Sequence, residues 1–241
     1  MQGSVNKLIK KSSKEIFALK RISIQDEEMH IFVQNEIEIL KILSHPSLLS
    51  FHDSFFSEKN YYIIMEYFPS ISLSKYLEIN TLSPLTLKAI MLQLLKTLDY
   101  LHQMNICHRD LNLKNILISF SGEKIKIIDF GVAKHLSQKN EEIFSAVGKI
   151  KTRPPEFSKK GYYTIKYDIW HVGLIFLQLL LRKKVRTKEV LKMRRNDWEC
   201  LKEILGKEEI EVIKRTLCEE EGRGEAQEVM MLDWFCDNEM V

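Results

Sequence analysis

Charged and amide side chains set among segments that read as buried strands constrain this chain more than anything else in it. His108-Arg109-Asp110 is followed by Asn115 and then by the apolar run Ile116 to Ile118. Asp129-Phe130-Gly131 follows Ile125-Lys126-Ile127-Ile128. Lys20 closes Glu15 to Lys20, which alternates like a half-buried strand. Glu36 lies in Phe32 to Leu43, where Phe32, Ile37, Leu40 and Leu43 alternate with charges as in an amphipathic helix. An acidic residue and an amide on one loop, with a second carboxylate further along, can converge on a divalent cation. Oxygen ligands suit Mg²⁺, which keeps waters and substrate phosphates in its shell. A strand-end lysine can then hold phosphate as a point charge.

Around these residues the chain changes texture once. Its first sixty-odd residues read as strands around one helix, with Asn60 to Tyr67 rich in β-branched and aromatic residues. After Pro69 the pattern turns helical over Leu85 to His102 and Ile169 to Leu181, with a small hairpin between from Ile116 to Ile128. Pro69-Ser70-Ile71-Ser72 reads as the joint. The expectation is an α+β fold of two lobes in one unit, residues 1–67 and 68–241.

Composition excludes several classes. The 241 residues are 45% hydrophobic, enough for a large core, and the net charge of +3 is too mild to imply nucleic acid. Cys107, Cys200, Cys218 and Cys236 show no metal spacing and no paired motif, so a reduced, intracellular chain is expected. Cys107 reads as a packing residue and not a nucleophile. The longest apolar run, Val172 to Leu181, is well short of the roughly 20 residues a membrane span needs and reads as a buried helix.

Taken together and in order, these segments resemble the eukaryotic protein kinase catalytic domain across nearly the whole chain. The resemblance implies a β-rich lobe with one helix over a larger helical lobe, with ATP and Mg²⁺ between them and a protein substrate. It implies that Lys20 binds the α- and β-phosphates and that Glu36 holds that lysine. Asp110 would accept the substrate proton, and Asn115 and Asp129 would bind Mg²⁺. Pro154-Pro155-Glu156 stands where the family has Ala-Pro-Glu, with Arg223 placed to pair with Glu156. Asp168-Ile169-Trp170, followed by Gly173, resembles the helix that ties down the catalytic loop. Met65 would close the back of the adenine pocket, Glu66 and Phe68 would offer hinge backbone, and Leu8, Ala18 and Leu117 would sandwich the ring. Ser72 would sit near the ribose. Leu40, Phe51, His108 and Phe130 match the family's stacked spine, which makes His108 structural.

The sequence departs from the family pattern in two places. Gly3 to Leu8 aligns with the second half of the glycine-rich loop, with Met1 at its first glycine and Asn6 at its third, and the family's strand before the loop is expected to be absent, through a truncated gene model or genuine degeneration. In the catalytic loop Asn112 replaces the lysine usual in Ser/Thr kinases, while Gly148-Lys149 replaces Gly-Thr. A swap is expected, in which Lys149 supplies the cation near Asp110 and Asn112 the bridging hydrogen bond. The alternative is uncompensated drift.

Arg109 before Asp110 points to a phosphate-gathering arginine, and Ser145 stands where the family carries its activating phosphosite. Lys114 replaces the glutamate of arginine-directed kinases, so no preference for upstream arginine is expected. The basic stretch from Arg182 to Arg195 could dock an acidic partner, act as a nuclear signal or be a solvated helix face. The reading is a Ser/Thr protein kinase located in the cytoplasm, the nucleus staying open. A pseudokinase serving as a nucleotide-binding or interaction module is the alternative. Leu232-Asp233-Trp234-Phe235 resembles the close of the family's last helix.

Overall fold

The computed structural model describes residues 4–139, 141–145 and 149–236. Met1, Gly3 and Gly148 lie outside the described residues. The upper lobe is built on a four-stranded antiparallel sheet in the order β1-β2-β4-β3. Its strands are β1 (Ser4–Ile9), β2 (Ile16–Ser23), β3 (Phe51–Ser57) and β4 (Asn60–Glu66). Helix α1 (Glu27–Ile42) crosses between β2 and β3. Asp26 starts it by accepting from the Met29 N–H at 2.7 Å, and Glu27 and Glu28 sit in the first turn, favourable against the helix dipole. Val33, Ile37 and Leu40 on α1 pack with Ile22 and Ile63 of the sheet.

Below the hinge, β5 (Ser70–Ser72) leads directly into α2 (Leu73–Ile79) and α3 (Pro84–Gln103). Then come β6 (Ile106–Cys107), the hairpin β7 (Ile116–Ser119) and β8 (Ile125–Ile127), and β9 (Lys134–His135). Strands β5, β7 and β8 form one small sheet, and β6 pairs with β9. The rest is helical: α4 (Pro155–Lys160), α5 (Tyr167–Leu181), α6 (Thr187–Arg195), α7 (Glu199–Lys202), α8 (Lys207–Thr216), α9 (Ala226–Met230) and α10 (Asp233–Cys236). A single 3-10 turn at Ile150–Thr152 precedes α4.

Eleven of the fifteen α5 residues are hydrophobic, and the helix is buried on nearly all sides, as its sequence requires. Gly173 lets α8 lie against it: a Cβ there would stand 2.5 Å from Thr216 Oγ1 and 2.7 Å from Leu217. One continuous apolar cluster runs from Ile22 and Ile63 in the upper lobe through Ile127 and Phe130 to Ile213 and Trp234. No helix among the described residues is long and apolar enough to cross a membrane.

The start of the sheet corrects the reading of Gly3 to Leu8. Ser4–Ile9 is one regular strand, with Asn6 opposite Leu19 in its middle, so Asn6 occupies no loop apex. The connection to β2 is tight, closed by Lys10 N–H to Glu15 O at 2.9 Å. That turn sets the register: Lys7 lies opposite Ala18, and Leu8 opposite Phe17. Because side chains alternate along a strand, Leu8 falls on the face away from Ala18.

Candidate active site

The cleft between the lobes has a volume of about 520 Å³. Ala18, Met65 and Leu117 wall it with Val5 and Lys7, and Leu8 is not in the wall. Val5 therefore takes the place expected of Leu8. Phe68, Ser70 and Glu66 line the hinge side. Ser72 also stands outside the lining, its hydroxyl accepting from the Lys75 N–H at 3.3 Å to cap α2. A larger hollow of about 830 Å³, between α2, α3 and α5, holds none of the polar site residues.

At the inner end of the cleft, Lys20 Nζ donates to Glu36 Oε1 at 2.6 Å and lies 3.6 Å from Asp129 Oδ1. Strand β2 and helix α1 thus bring together residues sixteen apart in sequence, and both side chains are largely buried. The Asn35 amide, next to Glu36, donates to the Ala133 carbonyl at 3.0 Å and ties α1 to the chain just after Asp129. Arg109 and Asp129 hold φ at +67° and +71°, in the left-handed region. Non-glycine residues keep such angles only where their surroundings enforce them, and they concentrate at functional sites.

Asp168 on α5 supplies much of that enforcement. Its Oδ2 accepts the His108 N–H at 2.7 Å and its Oδ1 the Arg109 N–H at 2.9 Å, while His102 Nε2 stands 3.3 Å away. Complete burial alone would raise the Asp168 pKa, but these partners hold it at about 2. The His108 ring packs on Phe130 with centroids 4.9 Å apart. Its Nε2 donates to the Ile128 carbonyl at 3.1 Å and its Nδ1 accepts the Asp110 N–H at 3.3 Å. Both ring nitrogens are committed, so His108 is a structural post and not a base. Cys107 is fully buried, and burial pushes its thiol well up, which leaves it unreactive.

At the mouth of the cleft, the Asn115 amide NH₂ donates to the Asp110 carbonyl at 2.9 Å and to its Oδ2 at 3.0 Å. Lys149 Nζ reaches Asp110 Oδ1 at 3.3 Å. Asn112 stays inside its own loop, donating to the Asp110 carbonyl at 2.7 Å and accepting the Lys114 N–H at 3.1 Å. The cation of the expected swap therefore stands beside Asp110, while Asn112 does not bridge to it. Arg109 Nη1 donates to Ser145 Oγ at 2.6 Å, and its Nε to the Val132 carbonyl at 2.5 Å. Glu156 and Arg223 form a fully buried two-point pair at 2.7 and 3.0 Å, which anchors the start of α4.

Lys126 carries no role in the sequence reading. From β8 its Nζ donates to Pro46 O at 3.1 Å, Leu48 O at 2.7 Å and Glu66 Oε2 at 2.8 Å. The available signal was a charged residue in the centre of Ile125-Lys126-Ile127, a run that otherwise reads as buried.

An ammonium–carboxylate pair facing one acidic side chain, with a second acidic side chain on a braced loop at the cleft mouth, is the arrangement of phosphoryl-transfer domains that grip a nucleotide's phosphates. The chain belongs to the protein kinase domain family, which matches residues 1–235. It is 32% identical over 164 residues to serine/threonine-protein kinase shk2 of Schizosaccharomyces pombe, covering 68% of this chain and 28% of that one. It is 31% identical over 163 residues to shk1/pak1 of the same yeast, covering 68% and 25%. To serine/threonine-protein kinase Nek8 of Danio rerio it is 31% identical over 187 residues, covering 76% and 27%. The chain thus spans about a quarter of the length of these curated relatives.

Proposed function

We propose that this chain is a catalytically competent serine/threonine kinase domain, transferring the γ-phosphoryl group of ATP to protein hydroxyls. The observation that carries the reading is the assembled state of the site: Lys20 held by Glu36 at 2.6 Å, with Asp129 3.6 Å from the same ammonium. The relatives compared above are serine/threonine-protein kinases, which supports the same acceptor class.

Lys20 meets the nucleotide's phosphates as a point charge, and Glu36 keeps it aimed. The donor set suits a hard cation. Asp129 presents a carboxylate that is 46% exposed, and Asn115 spends only its NH₂ on Asp110, leaving its carbonyl oxygen available. Among the described residues no group of three His, Cys, Asp or Glu could hold a metal alone. Mg²⁺ takes one or two protein oxygens and completes its shell with phosphates and water. When bound, Mg²⁺ neutralises charge on the phosphates. Asp110 receives the proton of the acceptor hydroxyl, whose oxygen forms the new bond to phosphorus as the bond to the ADP oxygen breaks. Asn115 and Lys149 keep the Asp110 carboxylate in place. Catalysis then comes from positioning and charge stabilisation.

The test is transfer from [γ-³²P]ATP in Mg²⁺ to a serine peptide, with Asp110→Asn as control. Removing the base should lower kcat about 10²- to 10⁴-fold. Equal label incorporation by both proteins, or none by either, would overturn the reading in favour of a pseudokinase.

A further inference from the structure

Two basic segments, distant in sequence, meet at the Asp110 carboxylate, and a third is fastened to one of them. Lys149 touches Asp110 at 3.3 Å and opens the segment that carries Lys151 and Arg153. The Arg153 carbonyl accepts the Thr187 hydroxyl at 2.7 Å, which fastens the start of α6 to this segment. Helix α6 brings the exposed Lys188 and Lys192 with it. Lys114, exposed, stands in the Asp110 loop itself.

Several other surface cations are neutralised. Lys139, Lys159 and Lys202 are each paired, with Glu225 at 2.6 Å, Glu219 at 2.9 Å and Asp197 at 2.9 Å. Lys114, Lys151, Lys188 and Lys192 have no carboxylate at ion-pair distance among the described residues. Two of the three neighbouring acids are paired with cations, and Glu189 keeps its negative charge on α6. Glu156 is neutralised by Arg223, Glu189 accepts the Arg186 N–H at 2.7 Å, and Glu219 is shared by Lys159 and Arg194. A chain entering this rim meets unbalanced positive charge next to the site of transfer.

We propose that the acceptor hydroxyl is presented by an acidic peptide, whose aspartate or glutamate side chains flank the acceptor and pair with Lys114, Lys151 and Lys188. The inference rests on the kinase reading above and names the substrate class of that same site. Carboxylates are drawn in by the rim's field and fix the register of the peptide over Asp110, while flanking lysine or arginine is repelled. The selectivity is screened by salt, because the rim is exposed.

The experiment compares serine peptides of one length bearing Glu, Ala or Lys on both sides of the acceptor, with the intact chain and a Lys151→Glu/Lys188→Glu double variant. The expected result is a kcat/KM about tenfold higher for the Glu peptide than for the Ala peptide, the size that two or three exposed ion pairs give. The double variant should lose that ratio, and raising the salt should shrink it. A flat or Lys-favouring profile on a chain that phosphorylates the Ala peptide overturns the proposal and spares the kinase reading. Fluorescence anisotropy of the labelled Glu peptide reads the rim without turnover. Should no peptide be phosphorylated, tight Glu-peptide binding that the double variant loses sustains the basic rim and sinks only the activity, while binding insensitive to the double variant sinks the rim.

Discussion

Lys126 in β8 and Glu66 at the end of β4 form a 2.8 Å ion pair across the hinge. The same ammonium also holds two carbonyls of the loop between α1 and β3 and lies 5.6 Å from the centre of the Phe68 ring. One side chain thus binds the lower-lobe hairpin to both covalent and non-covalent links between the lobes. Lys126→Met would leave the Pro46 and Leu48 carbonyls short of a donor. The expected loss is about 2 kcal/mol, seen as a fall of roughly 4–8 °C in Tm for a chain of this size. An unchanged melting curve would show the tie to be idle.

Lys149 is the residue on which the altered catalytic loop turns. With its ammonium 3.3 Å from Asp110 and half exposed, it is placed to steady both that carboxylate and an incoming phosphate. Lys149→Ala should lower kcat about 10- to 100-fold, with a smaller effect on the KM for ATP. Steady-state kinetics on an active preparation decides it, and unaltered turnover would remove Lys149 from the catalytic set.

Ser145 sits where a phosphate would find a cation ready. Arg109 Nη1 already reaches its hydroxyl at 2.6 Å, and the Tyr163 hydroxyl donates to its carbonyl at 2.9 Å. A phosphate adds a charge of about −1.5 to −2 and three acceptor oxygens. Ser145→Ala should depress activity several-fold, and phosphopeptide mass spectrometry should find Ser145 modified in the active fraction. Full activity in protein unmodified at Ser145 rules the switch out.

Burial holds the His171 pKa at about 4, below its ordinary 6.5, despite the opposing pull of Asp168. The unfolded chain therefore binds a proton here that the folded chain refuses. The associated stability is complete above pH 6.5 and drains away as pH falls toward 4. Between pH 7.5 and pH 5 the loss from this group is about 2 kcal/mol. Asp168 adds to it only below its ordinary 3.8, as pH approaches about 2. Urea titrations at the two higher pH values should show the drop, and the drop should shrink in His171→Gln. An equal slope in that variant would assign the pH dependence elsewhere.

Much of the site was legible because its chemistry is compressed into short polar runs with strong apolar flanks. The pairs Lys20–Glu36 and Glu156–Arg223 join distant segments, yet each member is the one charged group for which its surroundings leave a single use. The strand register was not legible. Val5 and Leu8 are both apolar strand residues, and only the tight turn between Lys10 and Glu15 decides which of them faces Ala18. Nor could the sequence show where α6 lies, since its contact with Arg153 is one hydroxyl, Thr187, among many. The local bonds of Asn112 were not legible either, since a short polar side chain next to a loop backbone bonds locally before it bonds across space.

The Asn35–Ala133 hydrogen bond couples two parts that could otherwise travel separately. A small molecule wedged behind the cleft that pushed α1 outward would drag residue 133 with it. Glu36 would leave Lys20 and the backbone around Asp129 would shift in the same stroke. Small molecules that bind this cleft should accordingly sort into two groups: those that fit the closed latch, and those that part Lys20 from Glu36 and displace Asp129 in the same step.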